Sequence, residues 1–284
     1  MFSKLTVALT LAAAFLMPSA AFAADEAAAS PAVPGVDEIV NMTNQASYYQ
    51  GSDGRAKVHM TITDEQGRAR EREFVILRWD APEAGSDVAK KDQTFTGGQK
   101  FYVYFERPAD VNKMAFLVWK HLDKSDDRWL YLPALDLVKR IAASDKRTSF
   151  VGSSFFYEDV SGRHIDEDTH ELVKVTGDYY VLKNTPKDPD SVEFAYYEMY
   201  VHKKTFVVVE TDYYDKQGQK YRTYKAEKVE TIDGYPTVTK SSMTDTKNGS
   251  KTEMDYSEVK YNLDIPEDVF TERYLRQLPY EFLR

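Results

Sequence analysis

The pattern of apolar and polar positions changes its period once, shortly before residue 50. Between residues 36 and 48 the apolar positions follow helical spacing, because Ile39, Val40 and Thr43 fall on one face. Two acidic residues lie in the first turn, where the helix dipole favours negative charge. The pattern therefore predicts a helix over 36–48.

Beyond this helix the apolar positions alternate with polar ones, as expected for strands with one buried face. Val58, Met60 and Ile62 alternate with polar neighbours, and a turn at 64–67 leads to a second strand at 69–79. Further strands are predicted at 101–105, 193–202, 205–214, 219–231, 236–245 and 251–261. Short turns between the C-terminal strands make consecutive strands antiparallel neighbours. The pattern predicts a mainly β fold, in which a curved antiparallel sheet wraps around one apolar interior.

The most distinctive stretch lies between residues 128 and 160. Residues 129–141 are apolar and aromatic, with a turn centred on Pro133, and they predict a strand–turn–strand hairpin. Residues 149–160 then combine apolar runs with a Gly-Ser-Ser step. This second segment is a candidate lid, with Gly152 as its candidate hinge, although an ordinary loop is the alternative.

The first residues of the chain and its amino-acid composition predict the compartment of the protein. Residues 1–23 combine Lys4, an apolar run and a small-residue exit, the pattern of a cleavable signal peptide. Residues 24–34 predict a disordered linker, and residues 35–284 a single β domain. The chain has no cysteine, which excludes disulfides, a thiol nucleophile and a lipidated cysteine anchor. A periplasmic protein is therefore predicted.

Charge and aromatic content narrow the partners. The net charge is −9, so the chain has no general attraction for nucleic acid, and none is expected as a partner. Aromatic residues make up 13% of the chain and include 20 tyrosines. A tyrosine can place its ring in an apolar lining and its hydroxyl at the edge, although core packing explains any single one equally simply.

Several motifs together carry a resemblance to a known family. Residues 129–138 resemble the hairpin of periplasmic lipoprotein carriers of the LolA-like family. Residues 149–160 resemble the longer outer-membrane lipoprotein-sorting proteins with a TP-0789-type domain. The Arg-Pro step at 107–108 and the closing segment 262–270 agree with the same family.

The resemblance implies a fold and a role. The implied fold is an unclosed (half) antiparallel β-barrel, LolA/LolB-like, with a few helices covering its concave side. The implied role is that of a carrier that holds a lipid, lipoprotein acyl chains or another amphiphile. Its implied partners are an inner-membrane transporter and an outer-membrane acceptor. No cofactor is expected, and a monomer is predicted.

The candidate site residues fall into two groups. The expected cavity residues are Met60, Phe74, Ile76, Phe101, Val103, Phe116, Val118, Trp129, Tyr131, Phe155 and Phe156. The residues expected at the mouth, to meet lipid headgroups or an acidic partner, are Arg128, Lys139, Arg140 and Arg147. For the first group the alternative is ordinary core packing, and for the second a solvated hairpin flank.

Two other functions remain open from the sequence. One is an accessory module that docks on a membrane export pump or assembly complex without carrying lipid. The other is a hydrolase that uses the His, Asp and Glu cluster at 164–171. No nucleophile elbow, phosphate-binding loop or zinc-protease motif occurs, so a non-enzyme is predicted.

Overall fold

The computed structural model describes residues 33–82 and 97–284, and Gly35–Arg284 form one compact unit. The predicted signal peptide, nearly all of the predicted linker and a charged loop at 84–92 lie outside the described residues.

The described residues form one antiparallel sheet of thirteen strands. The strands are β1 Asp53–Thr63, β2 Ala69–Asp80, β3 Gln99–Arg107, β4 Ala115–Lys120, β5 Asp127–Leu132, β6 Leu137–Ile141, β7 Asp168–Val175, β8 Tyr179–Pro186, β9 Phe194–His202, β10 Val208–Asp215, β11 Lys220–Ile232, β12 Tyr235–Asp245 and β13 Ser250–Tyr261. Their order across the sheet is β6-β5-β4-β3-β2-β1-β13-β12-β11-β10-β9-β8-β7. The two end strands, β6 and β7, pair with one neighbour each. The sheet is therefore open, and the predicted unclosed antiparallel architecture is confirmed.

Helical elements are short apart from the first. The α-helices are α1 Val36–Tyr48, α2 Tyr157–Ser161 and α3 Tyr280–Leu283, and 3₁₀ turns occur at Pro133–Leu135, Ala143–Asp145, Ile165–Glu167, Glu267–Phe270 and Glu272–Leu275. Helix α1 has the predicted bounds. Its last turn is tied to the sheet because Gln99 Nε2 donates to the carbonyl oxygen of Tyr48 at 2.7 Å.

The central strands bury both of their faces. In β3, Phe101, Val103 and Phe105 belong to one apolar cluster, whereas Tyr102 and Tyr104 belong to another. Successive side chains of a strand point to opposite faces, so the two clusters lie on opposite sides of the sheet. We call the face that carries Phe101 and Val103 the inner face and the other the outer face.

Different helical segments cover the two faces. Helix α1 packs through Ile39 and Val40 against Leu182 and Val201 on β8 and β9. The C-terminal 3₁₀ turns and α3 cover the outer face of β2–β5, with Val269, Phe270, Leu275 and Leu283 buried against it. The expectation that helices cover the concave side therefore describes α1, and the C-terminal helical turns add a cover on the other side.

Three strands, β4, β7 and β8, lie where the alternation predicted no strand. Strands β7 and β8 begin within and after the His, Asp and Glu cluster at 164–171. Strand β7 is an edge strand, and its Val173 and Val175 are each 42% exposed. With little of β7 buried, its sequence lacks the alternation that identifies a half-buried strand.

Candidate functional site

A cavity of about 430 Å³ lies on the inner face of the sheet. Its walls come from α1, from the inner face of the sheet and from residues 149–160, which we call the lid. The apolar part of its lining includes Val58, Phe74, Ile76, Phe101, Val103, Phe150, Phe155, Val160, Met199, Met243 and Met254. Ligand pockets of proteins commonly have volumes of about 300–1,000 Å³, so the cavity is large enough for a small amphiphile.

The lid begins with a tight turn anchored in the core. Phe150 is buried and packs against the rings of Phe105 and Phe116, with centroids 5.8 and 5.5 Å away. The turn closes as Phe150 N donates to Phe155 O at 2.8 Å. Gly152 has a φ of +83°, which suits glycine. The role of Gly152 as a hinge stays a prediction.

Arg222 on β11 fastens the lid to the sheet. Its side chain is 0% exposed, and its guanidinium donates to Ser154 O at 2.9 Å and pairs with Asp159. The same guanidinium lies 4.0 Å from the centre of the Phe156 ring. One buried cation thus holds three neighbouring parts of the lid.

A second buried ion cluster lies where α2 meets the following chain. Glu158 is 2% exposed, and its carboxylate is 2.6 Å from Arg147 and 2.8 Å from Lys146, with Arg163 at 3.5 Å. Burial by itself raises the pKa of Glu158, but the three cations outweigh it and hold that pKa at about 2. Glu158 is therefore ionised at neutral pH.

A group of tyrosines forms one polar part of the lining. Tyr48, Tyr213, Tyr224 and Tyr256 all line the cavity. They are close enough for the charges of the other three to affect the ionisation of Tyr224. Burial raises the pKa of each, that of Tyr213 to about 12, so the hydroxyls stay protonated.

Two of these hydroxyls are free to meet a ligand. The hydroxyls of Tyr48 and Tyr213 donate to no other group among the described residues, whereas Tyr256 contacts the sulfur of Met254 at 3.2 Å. On the opposite wall, Thr43 of α1 lines the cavity, is 5% exposed and has an Oγ1 without a hydrogen-bond partner among the described residues.

Several polar residues of the lining are hydrogen-bonded to one another. Arg78 donates to the carbonyl oxygens of Gln50 and Gly51. The Tyr261 hydroxyl contacts Gln50 Oε1 at 3.1 Å and the Thr237 hydroxyl at 2.8 Å. These groups satisfy the hydrogen-bonding capacity of one another.

A buried carboxyl group, that of Asp80, lies beside Arg78. Gln99 Nε2 donates to Asp80 Oδ1 at 2.7 Å, whereas Asp80 Oδ2 and Gln99 Oε1 have no partner among the described residues. Burial raises the pKa of Asp80 to about 7, although Arg78 acts in the other direction.

Nine of the eleven predicted cavity residues fall into three groups. Phe74, Ile76, Phe101, Val103 and Phe155 line the cavity. Met60, Phe116 and Val118 lie on the inner face but are packed in the core and do not line the cavity. Phe156 packs against Arg147 and Arg222.

Trp129 and Tyr131 require a correction, because both point to the outer face. Trp129 pairs with Leu117 across β4 and β5, and both belong to the cluster beneath the C-terminal turns. Their neighbour Leu130 faces the inner core instead. The hairpin thus contributes to the cavity side through alternate residues, not through the aromatic ones.

The four predicted mouth residues do not form one cluster. Arg128 is 2% exposed and bound to Asp126 at 2.6 Å, so it is not at a mouth. Arg147 lines the cavity but is engaged by Glu158 and Glu193. Lys139 and Arg140 lie on edge strand β6, where Arg140 pairs with Asp127. The prediction that Arg128 lies at the mouth is therefore wrong.

The sequence pattern missed much of the lining. It did not identify the contribution of α1 or of the tyrosines on β10, β11 and β13. Strand register could have identified these tyrosines, because Tyr224 pairs with Met243, and Tyr256 with Val58, on the inner face. That signal needs the strand order, which places β13 beside β1.

The His, Asp and Glu cluster at 164–171 is dispersed over internal partners. His164 contacts Asp126 at 2.7 Å, His170 contacts Asn184 at 2.6 Å, and Asp168 receives bonds from Arg163 and Tyr197. No group of three metal-ligating side chains occurs in the part of the chain that the structure describes. Within the same ranges, no helix is long and apolar enough to cross a membrane.

The described residues thus form an open antiparallel sheet with an apolar cavity between its inner face, α1 and the lid. A family model described as an uncharacterized protein matches residues 97–277, more than half of the chain. A search of curated proteins finds no match.

Solved structures identify the family more closely. A DUF1329 family protein from Desulfovibrio piger is 30% identical, with a TM-score of 0.73, over 84% of this chain and 97% of that one. A domain assigned as an outer membrane lipoprotein-sorting protein from Vibrio parahaemolyticus is 26% identical, with a TM-score of 0.72 and the same coverages. The LolA superfamily protein NE2245 from Nitrosomonas europaea shares the fold at 19% identity and a TM-score of 0.62, over 85% and 100% of the two chains.

The chain belongs to the DUF1329 family, and its fold is that of the LolA superfamily. The resemblance to LolA-like lipoprotein-sorting proteins that the motifs at 129–138 and 149–160 indicated is therefore confirmed.

Proposed function

We propose that the protein is a periplasmic carrier that binds a lipid, lipoprotein acyl chains or another amphiphile in the inner-face cavity and moves it toward the outer membrane. The observation that carries the proposal is the cavity itself, with its lining of Phe, Ile, Val and Met side chains between the sheet, α1 and the lid. The lipoprotein-sorting assignment of the Vibrio domain, which shares 26% of its sequence with this chain, supports the same role.

The energetics favour an apolar cargo. Transfer of a methylene from water into an apolar site stabilises the complex by about 0.8 kcal/mol, so an acyl chain gains binding energy along its length. Methionine side chains adapt their shape to different chains, and Met199, Met243 and Met254 lie in the lining.

The proposal is tested by filling the cavity. Purified wild-type protein should bind the uncharged fluorophore N-phenyl-1-naphthylamine, and lipid should be detected by mass spectrometry after solvent extraction. Ile76→Trp places a larger ring in the lining and should lower probe binding at least tenfold. Val229→Trp, at an exposed position on β11, is the matched control and should bind as the wild type. Equal binding by both variants, or no binding by the wild type, would refute the carrier role.

An accessory docking role is the second candidate, and exposed leucines favour it. Leu135 and Leu137, at the tip of the β5–β6 hairpin, are 70% and 46% exposed. Asp136 between them is held by Arg276 at 2.9 Å, so the tip has a fixed shape. A photo-crosslinker at position 137 should attach to protein if the tip docks on a pump, and attachment only to lipid would contradict docking.

A further inference from the structure

The polar groups of the cavity differ in their freedom to bind. Each arginine that lines the cavity is already engaged within the protein. Arg78 donates to the carbonyl oxygens of Gln50 and Gly51 and lies 3.3 Å from the Asp80 carboxyl group. The others pair with carboxylates: Arg55 with Glu258, Arg147 with Glu158 and Glu193, and Arg163 with Glu158, Glu167 and Asp168. Lys260, the other basic lining residue apart from two histidines, is exposed. The buried part of the lining thus offers no uncompensated cation for an anionic headgroup.

The groups that remain free are uncharged hydroxyls. Tyr48 and Tyr213 have hydroxyls without partners among the described residues, and the buried Thr43 Oγ1 is likewise without one. A buried polar atom without a partner, such as Thr43 Oγ1, has lost its hydrogen bonds to water, so a ligand group that bonds to it is favoured. Protonated phenols donate hydrogen bonds, and the groups that accept them include ester and amide carbonyls.

The charged side chains near these hydroxyls are paired with one another. Asp159 and Glu158 also line the cavity, and after burial Asp159 is the next cause of the raised pKa of Tyr48. Arg222 and Arg147 act in the opposite direction on Tyr213, but both are paired with these same carboxylates. The cations beside these carboxylates are already paired, so a ligand carboxylate or phosphate would find no free positive charge to replace its hydration.

We propose that the cargo is an amphiphile with an uncharged acyl ester or amide group, which accepts hydrogen bonds from the tyrosine hydroxyls while its chain occupies the apolar lining. The inference rests on the proposed function and narrows its ligand. Two sources share this chemistry, namely acylglycerols and the acylated amino terminus of a lipoprotein. An anionic fatty acid or phospholipid headgroup is disfavoured.

Competition against N-phenyl-1-naphthylamine tests the preference at neutral pH. Monododecanoylglycerol should displace the probe at a concentration about tenfold lower than dodecanoate or dodecyl phosphate, which have the same chain length. A synthetic lipopeptide with an N-acylated diacylglyceryl cysteine forms the second arm. Stronger displacement by the lipopeptide than by the glyceride would assign the group to a lipoprotein, and the reverse order would assign it to a free acylglycerol.

Phenylalanine variants test the role of the hydroxyls. Tyr48→Phe and Tyr213→Phe should each weaken the binding of monododecanoylglycerol about fivefold, the effect of one net hydrogen bond, and leave probe and dodecanoate binding unchanged. Tyr214→Phe is the matched control, because Tyr214 follows Tyr213 on β10 but stacks on Tyr196 with centroids 4.6 Å apart. Equal or stronger displacement by dodecanoate, or equal losses for both competitors, would overturn the inference. Failure of the probe to bind at all would overturn the carrier role itself.

Discussion

Replacement of Arg222 by methionine should loosen the lid more than any surface ion pair could. The guanidinium is fully buried, pairs with the mostly buried Asp159, and donates to Ser154 O. Removing one partner of a buried ion pair costs about 3–5 kcal/mol, because the remaining charge is left uncompensated. Loss of the Phe156 contact adds to this cost, and the methionine side chain restores part of the packing. We expect Arg222→Met to lower the free energy of unfolding by about 3–4 kcal/mol.

Urea unfolding measures this loss, and Arg68→Met is the matched control. Arg68 also pairs with an aspartate, but its side chain is 75% exposed, so its loss should cost less than about 1 kcal/mol. Adding Asp159→Asn completes a double-mutant cycle, which should give a coupling of about 2 kcal/mol. Amide exchange within residues 149–160 should rise in Arg222→Met. The reasoning is refuted if Arg222→Met costs no more than Arg68→Met, or if the cycle is additive.

Three further predictions concern the buried carboxyls and the two faces. The pKa of Glu158 in the folded protein, about 2, lies below its ordinary value of 4.5. Its contribution of about 3 kcal/mol to the free energy of unfolding is therefore present above pH 5 and is lost as the pH falls toward 2. The free energy of unfolding of Glu158→Gln should not show this dependence on pH. The pKa of Asp80 is raised to about 7, so its effect on stability becomes unfavourable as the pH rises from 4 to 7. At pH 8 the Asp80→Asn variant should therefore be more stable than the wild type by about 2 kcal/mol or more. A neutral or destabilising effect of the substitution would contradict this prediction. Trp129→Ala should lower stability by about 3 kcal/mol in the same assay and leave probe affinity unchanged, since a changed affinity would contradict its outer-face position.

The sequence supported the fold well where one face of an element is buried. Helix α1 and most strands follow simple periods, because burial on one side selects apolar residues at fixed spacing. Edge strand β7 escaped prediction because it buries little and carries charges on both faces. The hairpin motif identified the family, yet its aromatic residues face outward, since a motif does not reveal which side of the sheet encloses the cavity.

The site was harder to predict than the fold. Phe74, Ile76 and Phe101 were identified because they alternate within long apolar strands. The tyrosines of β11 and β13 were not, because their approach to α1 depends on the pairing of β1 with β13 across nearly 200 residues. Buried ion pairs such as Arg222–Asp159 leave no local trace in the sequence, since each partner resembles an ordinary surface charge.

The C-terminal turns cover the outer face of only part of the sheet, so the walls of the cavity differ in stiffness. Strands β2–β5 are clamped between two apolar clusters, so bending them would disrupt packing on both sides. The outer face of β9, β10 and β13 carries the half-buried Glu198, Glu210 and Glu253, and no apolar cluster of the described residues covers it. The β7–β13 side is therefore the compliant wall, and changes in capacity on loading and release should be concentrated in it.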